Sequence, residues 1–214
     1  TLSDFEKATE IITMAIIVDN KDFSLYYQRS RYRIELNDLD GALSDLNVAI
    51  KLNPEYTIAY YERANIKKIK EEYGESFDDY KYFIDNTSST EKSNYHYLSL
   101  AYSRRAEIKA MLNDTNGAYV DCDKALEFDK NFRVYFSIAS INDLNNEYDK
   151  ALDNFNKVIE LNEHFEYGYI RRGIIFSKLN QKDKALEDYN FVIKSYPQNS
   201  DAHLYRGKLY MEMG

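Results

Sequence analysis

The feature that most constrains this chain is that it repeats itself. With Ala8, Ala42, Ser76, Ala118, Ala151 and Ala185 set in one column, the steps between them are 34, 34, 42, 33 and 34 residues, and the remaining columns fall into register. Four residues after each stands a core residue: Ile12, Leu46, Tyr80, Cys122, Phe155 and Tyr189. Eight residues after it stands an aliphatic one: Ile16, Ile50, Ile84, Leu126, Ile159 and Ile193. A separate segment carries Tyr26, Tyr60, Tyr102, Tyr135, Tyr169 and His203, followed four residues later by Ser30, Ala64, Ala106, Ala139, Gly173 and Gly207. Spacings of four and eight put residues on one face of a helix. Two small columns, one per helix, let two antiparallel helices approach closely. Each unit is therefore expected to be a helix–turn–helix hairpin of about 34 residues.

Composition agrees with helices joined by short turns. Only 7 Gly and 2 Pro are present, too few for the turn chemistry of a β-rich chain of this length. The two prolines, Pro54 and Pro197, share one column at the end of the unit, where Pro can precede a helix but not interrupt one. The 21 Tyr and 11 Phe, with no Trp, supply core material with polar edges.

The period and these columns resemble the tetratricopeptide repeat (TPR) along essentially the whole chain. The resemblance implies an all-α, right-handed α-solenoid of helix–turn–helix hairpins, here one array over 1–214. Full units are expected at 23–56, 57–90, 99–131, 132–165 and 166–199. Residues 1–22 read as a second helix lacking its first, and 200–214 as a first helix lacking its second. The pattern departs from the family at the unit's opening aromatic, Tyr instead of Trp, and at Phe83, which replaces the small residue seen at Ala15, Ala49 and Ala125. Eight extra residues fall between the second and third units. The stretch 91–98 is read as an insertion lengthening a helix, with a turn near Asn86–Thr87 and a capping box at Ser88–Glu91.

A second pair of columns carries charge. Arg29, Arg63, Arg105 and Arg172 recur on first helices, and Asp45, Asp79, Asp121 and Asp188 on second helices of the same units. The unit at 132–165 loses both together, giving Ile138 and Asn154. Joint loss is what a structural salt bridge requires, because a lone buried charge is costly.

Catalytic and metal chemistry find no support. His96, His164 and His203 are far apart, the one cysteine, Cys122, lies in a core column, and no Gly-rich phosphate loop is present. No nucleophile, base and oxyanion donor come together, so no enzyme activity and no cofactor are expected. A net charge of −8 disfavours general nucleic-acid binding. No apolar run reaches the length of a membrane span. A single cysteine leaves the compartment open, with the cytoplasm favoured.

The resemblance also implies a function: a protein–protein interaction scaffold whose first helices line a concave groove for a peptide or partner helix. In this sequence those positions are Tyr27, Gln28 and Arg31; Tyr61, Asn65 and Lys68; Arg104 and Glu107; Phe136 and Ser140; Tyr167, Arg171 and Ile174; and Tyr205 and Lys208. The subgroup that clamps chaperone C-termini needs a Lys/Asn, Asn, Lys/Arg set, and no frame of this chain supplies it. Two alternatives accompany the peptide reading. One is self-association through the uncapped ends. The other is an RNA-associated array using Arg31, Lys68, Arg104, Arg171 and Lys208.

Overall fold

The computed structural model describes residues 2–213, which contain twelve α-helices and one short 3-10 turn. They form two compact units, one ending at Asn94 and the other beginning at Tyr95. The first holds α1 (Leu2–Val18), α2 (Phe23–Glu35), α3 (Leu39–Leu52), α4 (Thr57–Ile69), α5 (Tyr73–Asn86) and the 3-10 turn Lys92–Asn94. The second holds α6 (Tyr95–Met111), α7 (Thr115–Phe128), α8 (Phe132–Leu144), α9 (Tyr148–Leu161), α10 (Glu166–Lys178), α11 (Lys182–Ser195) and α12 (Ser200–Met213).

Helices pair in chain order: α2 with α3, α4 with α5, α6 with α7, α8 with α9 and α10 with α11. The first helices α2, α4, α8 and α10 have 13 residues each, and the second helices α3, α5, α7, α9 and α11 have 14. The small columns sit at the closest approach: Ala42, Ala64, Ala106, Ala118, Ala139, Ala151 and Ala185 are all fully buried. The core positions Leu46, Tyr80, Cys122, Phe155 and Tyr189 lie beside them, also buried. At Gly173 a Cβ would come within 2.6 Å of the Tyr189 ring, so the large ring accounts for the missing methyl.

The turn inside each hairpin is built one way. Asn37, Glu71, Asn113, Asn146 and Asn180 all have positive φ, between 57° and 65°. Each follows the last turn of a first helix, and the next residue's N–H reaches back to close the helix end, as from Asp38 to the Arg33 carbonyl (2.8 Å). Asn tolerates this left-handed conformation better than other non-Gly residues, and four of the five positions use it. Asp38 and Asp114 then cap the following helix by accepting from the N–H of Gly41 and Gly117, both at 2.9 Å. A Cβ on either glycine would lie 2.1 Å from the capping carboxylate, which is why Gly accompanies Asp there.

The insertion is only partly helical. Instead of running from the Asn86–Thr87 turn, α6 starts at Tyr95, with 17 residues. Ser88 does not cap a helix: its Oγ lies 3.0 Å from Thr90 Oγ1, and its carbonyl accepts from Asn94 Nδ2. Successive small polar side chains bonding to one another and to nearby backbone compete with the helical ladder here. Phe83 is buried against the Tyr61 ring, 5.3 Å between centroids.

Candidate functional site

Each hairpin with the Arg–Asp columns joins them by a bidentate contact. Arg29 Nε and Nη2 donate to Asp45 Oδ2 and Oδ1 at 2.8 and 2.6 Å. Arg63 meets Asp79 at 2.8 and 2.6 Å, Arg105 meets Asp121 at 2.8 and 2.8 Å, and Arg172 meets Asp188 at 2.9 and 2.6 Å. The four aspartates are buried. Planar guanidinium and carboxylate match at two points, which fixes the register of the hairpin. Each guanidinium also lies over the Tyr three residues earlier, at 5.3–5.8 Å from the ring centroid.

Two further partners were not read from the sequence. A second cation one helical turn on reaches the same carboxylate in three hairpins: Arg33 to Asp45 (2.9 Å), Lys67 to Asp79 (3.0 Å) and Lys109 to Asp121 (2.9 Å). Their recurrence four residues after the Arg column was the available signal. In addition, Arg63 Nη1 donates to Asn47, Arg172 Nη1 to Asn156 and Arg206 Nη1 to Asn190, each at 2.7 Å, while Arg29 Nη1 donates to Thr13 at 3.1 Å. These acceptors lie on the helix preceding each arginine's own, so Arg29, Arg63 and Arg172 each tie three helices, and Arg206 ties α12 to α11. Where the second cation is absent, in α10–α11, burial pushes the Asp188 carboxyl above its ordinary range, with the Arg172 hydrogen bond opposing. These arginines are committed to the frame.

The hairpin α8–α9 fills the same place with amides. Asn154 Nδ2 donates to Asn142 Oδ1 at 3.1 Å, and Asn142 Nδ2 donates to the Tyr119 hydroxyl (2.7 Å) and to Glu147 (3.0 Å).

The groove positions divide into buried and accessible. Tyr61 is 7% exposed and packs between Tyr80 and Phe83, so it presents little surface. Tyr27 is half-buried and meets Tyr56 edge-on at 5.0 Å; Phe136 is half-buried against Phe155 and Phe165. Asn65 accepts from the Tyr80 hydroxyl at 2.6 Å. Glu107, 8% exposed, receives Arg104 Nη1 at 3.3 Å and the Ser137 hydroxyl. Lys68 and Ser140 are half-buried.

In the first unit, Gln28 and Arg31 line a cavity of about 290 Å³ with Phe5, Tyr32 and Glu35. In the second, Tyr167 is 46% exposed, Ile174 and Tyr205 are half-buried, and Lys208 is exposed over the Tyr205 ring. Arg171 donates to Asp143 at 3.2 Å, and Lys178 pairs with the same carboxylate. The sequence reading missed Asp143 and Lys178. Their signal was an acid in a column that otherwise holds Ile34, Lys68, Ala110, Ser177 and Met211, with two bases one repeat later. Of the five cations of the RNA reading, Arg104 and Arg171 face carboxylates.

Among the described residues no three His, Cys, Asp or Glu side chains are grouped to hold a metal, and no helix is long and apolar enough to cross a membrane. Burial pushes the Cys122 thiol up to about 12, away from the reactive thiolate.

Residues 23–56 and 132–165 match one tetratricopeptide-repeat model, and residues 170–214 match a second. The chain belongs to the tetratricopeptide repeat family. It is 29% identical over 128 residues to a TPR repeat-containing protein of Methanocaldococcus jannaschii, covering 59% of this chain and 21% of that protein. It is also 29% identical over 134 residues to human DnaJ homolog subfamily C member 7, covering 57% of this chain and 26% of that one. The chain thus spans about a fifth to a quarter of the length of these curated relatives. Among solved structures, a tetratricopeptide repeat protein from Parabacteroides merdae superposes with a TM-score of 0.79 at 19% identity, over 99% of this chain and 81% of that one. YrrB, described as a TPR protein with an unusual peptide-binding site, gives 0.58 at 20% identity, over 93% and 99%. The fold class is an all-α helical-repeat solenoid. As a TPR chain it is a protein-interaction scaffold in the general sense, a class whose members are generally not catalysts.

Proposed function

We propose that the tetratricopeptide chain binds a peptide segment of a partner protein on the first-helix face of its second unit, carried by α8, α10 and α12. The observation that carries this reading is a row of exposed and half-buried first-helix side chains, of which Ile174 and Tyr205 also pack against the core beneath. It comprises Tyr167, Arg171 and Ile174 on α10 with Tyr205 and Lys208 on α12, beside a cavity of about 210 Å³. Aromatic rings and arginine are the residue types that dominate interface energetics. Ser140 on α8 adds a hydroxyl, which in this structure donates to the Phe136 carbonyl. The peptide-binding site ascribed to the structurally similar YrrB supports the same reading. The test is selection of a random peptide library on the intact chain, followed by competition against an Ile174→Asp variant. Peptides that bind the parent and lose at least tenfold on the variant support the site; equal binding to both places the ligand elsewhere.

A second reading, self-association through the terminal helices, has its own support. Ile11, Met14, Ile17 and Val18 on α1 are exposed, as are Leu204, Tyr210 and Met211 on α12. Completing a hairpin from α12 of one copy and α1 of another would set Arg206 opposite Ile11, where every complete hairpin that has the Arg carries Asp. The register therefore disfavours that route, and any association must use a different geometry. Sedimentation over a hundredfold concentration range tests it: a constant monomer mass rejects self-association.

A further inference from the structure

The cavity between α10 and α12 has a chemistry of its own. Its floor is apolar and closed, formed by Tyr189 and Leu209, each about 1% exposed. Ile174 and Tyr205 form its walls. At about 210 Å³ it is larger than the roughly 150 Å³ apolar cavity that holds a benzene molecule. A phenylalanine or leucine side chain is thus of suitable size. The cavity is open to solvent on one side, so entry would remove part of that side chain's surface from water.

The mouth is cationic although the chain is acidic. Lys178, Lys208 and Glu212 line it, and Lys178 shares Asp143 with Arg171. Three cations against two carboxylates leave one net positive charge beside the apolar floor, in a chain of net charge −8. The Lys208 ammonium lies 5.2 Å from the Tyr205 ring centroid, at the edge of the opening. A carboxylate one or two residues from an inserted apolar side chain would come within reach of Lys208 or Lys178. A basic residue there would meet like charge. The apolar floor thus favours insertion, and the mouth chooses the flanking charge.

We infer that the α10–α12 cavity selects peptides in which a bulky apolar residue is flanked by acidic ones. This rests on the peptide-binding reading above and narrows it. Three fluorescein-labelled synthetic peptides, titrated against the intact chain by anisotropy, test it: one with a central Phe flanked by Glu, a twin with Lys for every Glu, and a twin with Ser for Phe. The expected result is binding of the first, with both twins weaker by about tenfold or more. Lys208→Glu is expected to lower affinity for the acidic peptide about fivefold and to narrow its advantage over the Lys twin. Lys194→Glu, an exposed change on α11, is expected to leave it unaltered. Raising salt is expected to weaken binding of the acidic peptide and to narrow its advantage over the Lys twin, because the mouth charges are solvent-exposed. Equal binding of the Glu and Lys peptides, or indifference to Lys208→Glu, overturns the inference and leaves the peptide reading standing. If none of the three binds while a library peptide sensitive to Ile174→Asp does, the charge-and-apolar assignment fails alone. If the library also yields nothing, both fall.

Discussion

The hairpins α4–α5 and α8–α9 share one backbone plan and solve their interior differently. In α4–α5, Arg63 and Lys67 meet the buried Asp79, and Arg63 reaches back to Asn47. In α8–α9, the equivalent places hold Ile138, Asn142 and Asn154, and the two amides bond to each other and onward to Tyr119 and Glu147. Helix lengths match, 13 and 14 residues in each, and both turns pass through a positive φ, 62° at Glu71 and 59° at Asn146. What the repeat requires at this place is therefore mutual satisfaction of polar groups, not charge as such. A bidentate ion pair and an amide pair both meet that requirement, while either half without its partner does not.

The comparison breaks most severely if Asp79 is removed. Asp79→Ala takes the buried carboxylate from Arg63, which keeps only Asn47, and leaves Lys67 with Glu75; it is expected to cost about 3 kcal/mol, read as a lowered urea midpoint. Asn154→Asp puts an unpaired carboxylate beside Asn142 and close to Glu147, with an expected loss of about 1–3 kcal/mol. A loss below a few tenths would mean that the amide hairpin is open to solvent there and is not a true counterpart. Converting the charged hairpin toward the other sharpens the point. Arg63→Ile with Lys67→Asn and Asp79→Asn, the full α8–α9 set, is expected to be more stable than Arg63→Ile with Lys67→Asn, which leaves Asp79 without either cation, by about 1 kcal/mol, the coupling measured as a mutant cycle.

The turns offer a smaller test. Glu71 is the one turn residue of the five that is not Asn, so Glu71→Asn is expected to stabilise by about 0.5–1 kcal/mol. The reverse change, Asn146→Glu, is expected to destabilise by a similar amount. The smallest effect concerns pH. Burial pushes the Glu62 carboxyl on α4 above its ordinary range, with an Asn65 hydrogen bond and Arg31 opposing. A raised carboxyl favours the folded state fully below its unfolded value, and that contribution fades as pH rises through the folded value. Glu62→Gln is expected to remove this component, so that the parent loses slightly more stability than the variant between the ordinary carboxyl range and neutrality.

The sequence was able to speak about the hairpins because their determinants are local and periodic. A column of small residues, an aliphatic eight positions later and a paired Arg and Asp sixteen residues apart all lie within one unit. The insertion was less legible. Its Ser88–Glu91 spacing fits a capping box, but hydrogen bonds among Ser88, Thr90 and Asn94 compete with that use, and α6 begins only at Tyr95.

What the sequence by itself determined about this protein is the period, the helical hairpins and the polar columns within them, since helix spacing turns a residue number directly into a face. What only the tertiary structure decided is which side chains a partner could meet. Tyr61, Glu107, Ile174 and Lys208 all occupy first-helix positions, yet Tyr61 is enclosed by Tyr80 and Phe83, Glu107 is buried with Ser137, and Ile174 and Lys208 line an open cavity. The physical reason is that exposure depends on the side chains of neighbouring helices, about twenty residues away within the hairpin for Tyr61 and thirty away in the next hairpin for Glu107. Packing between helices fixes those neighbours, and the spacing along one helix does not contain them.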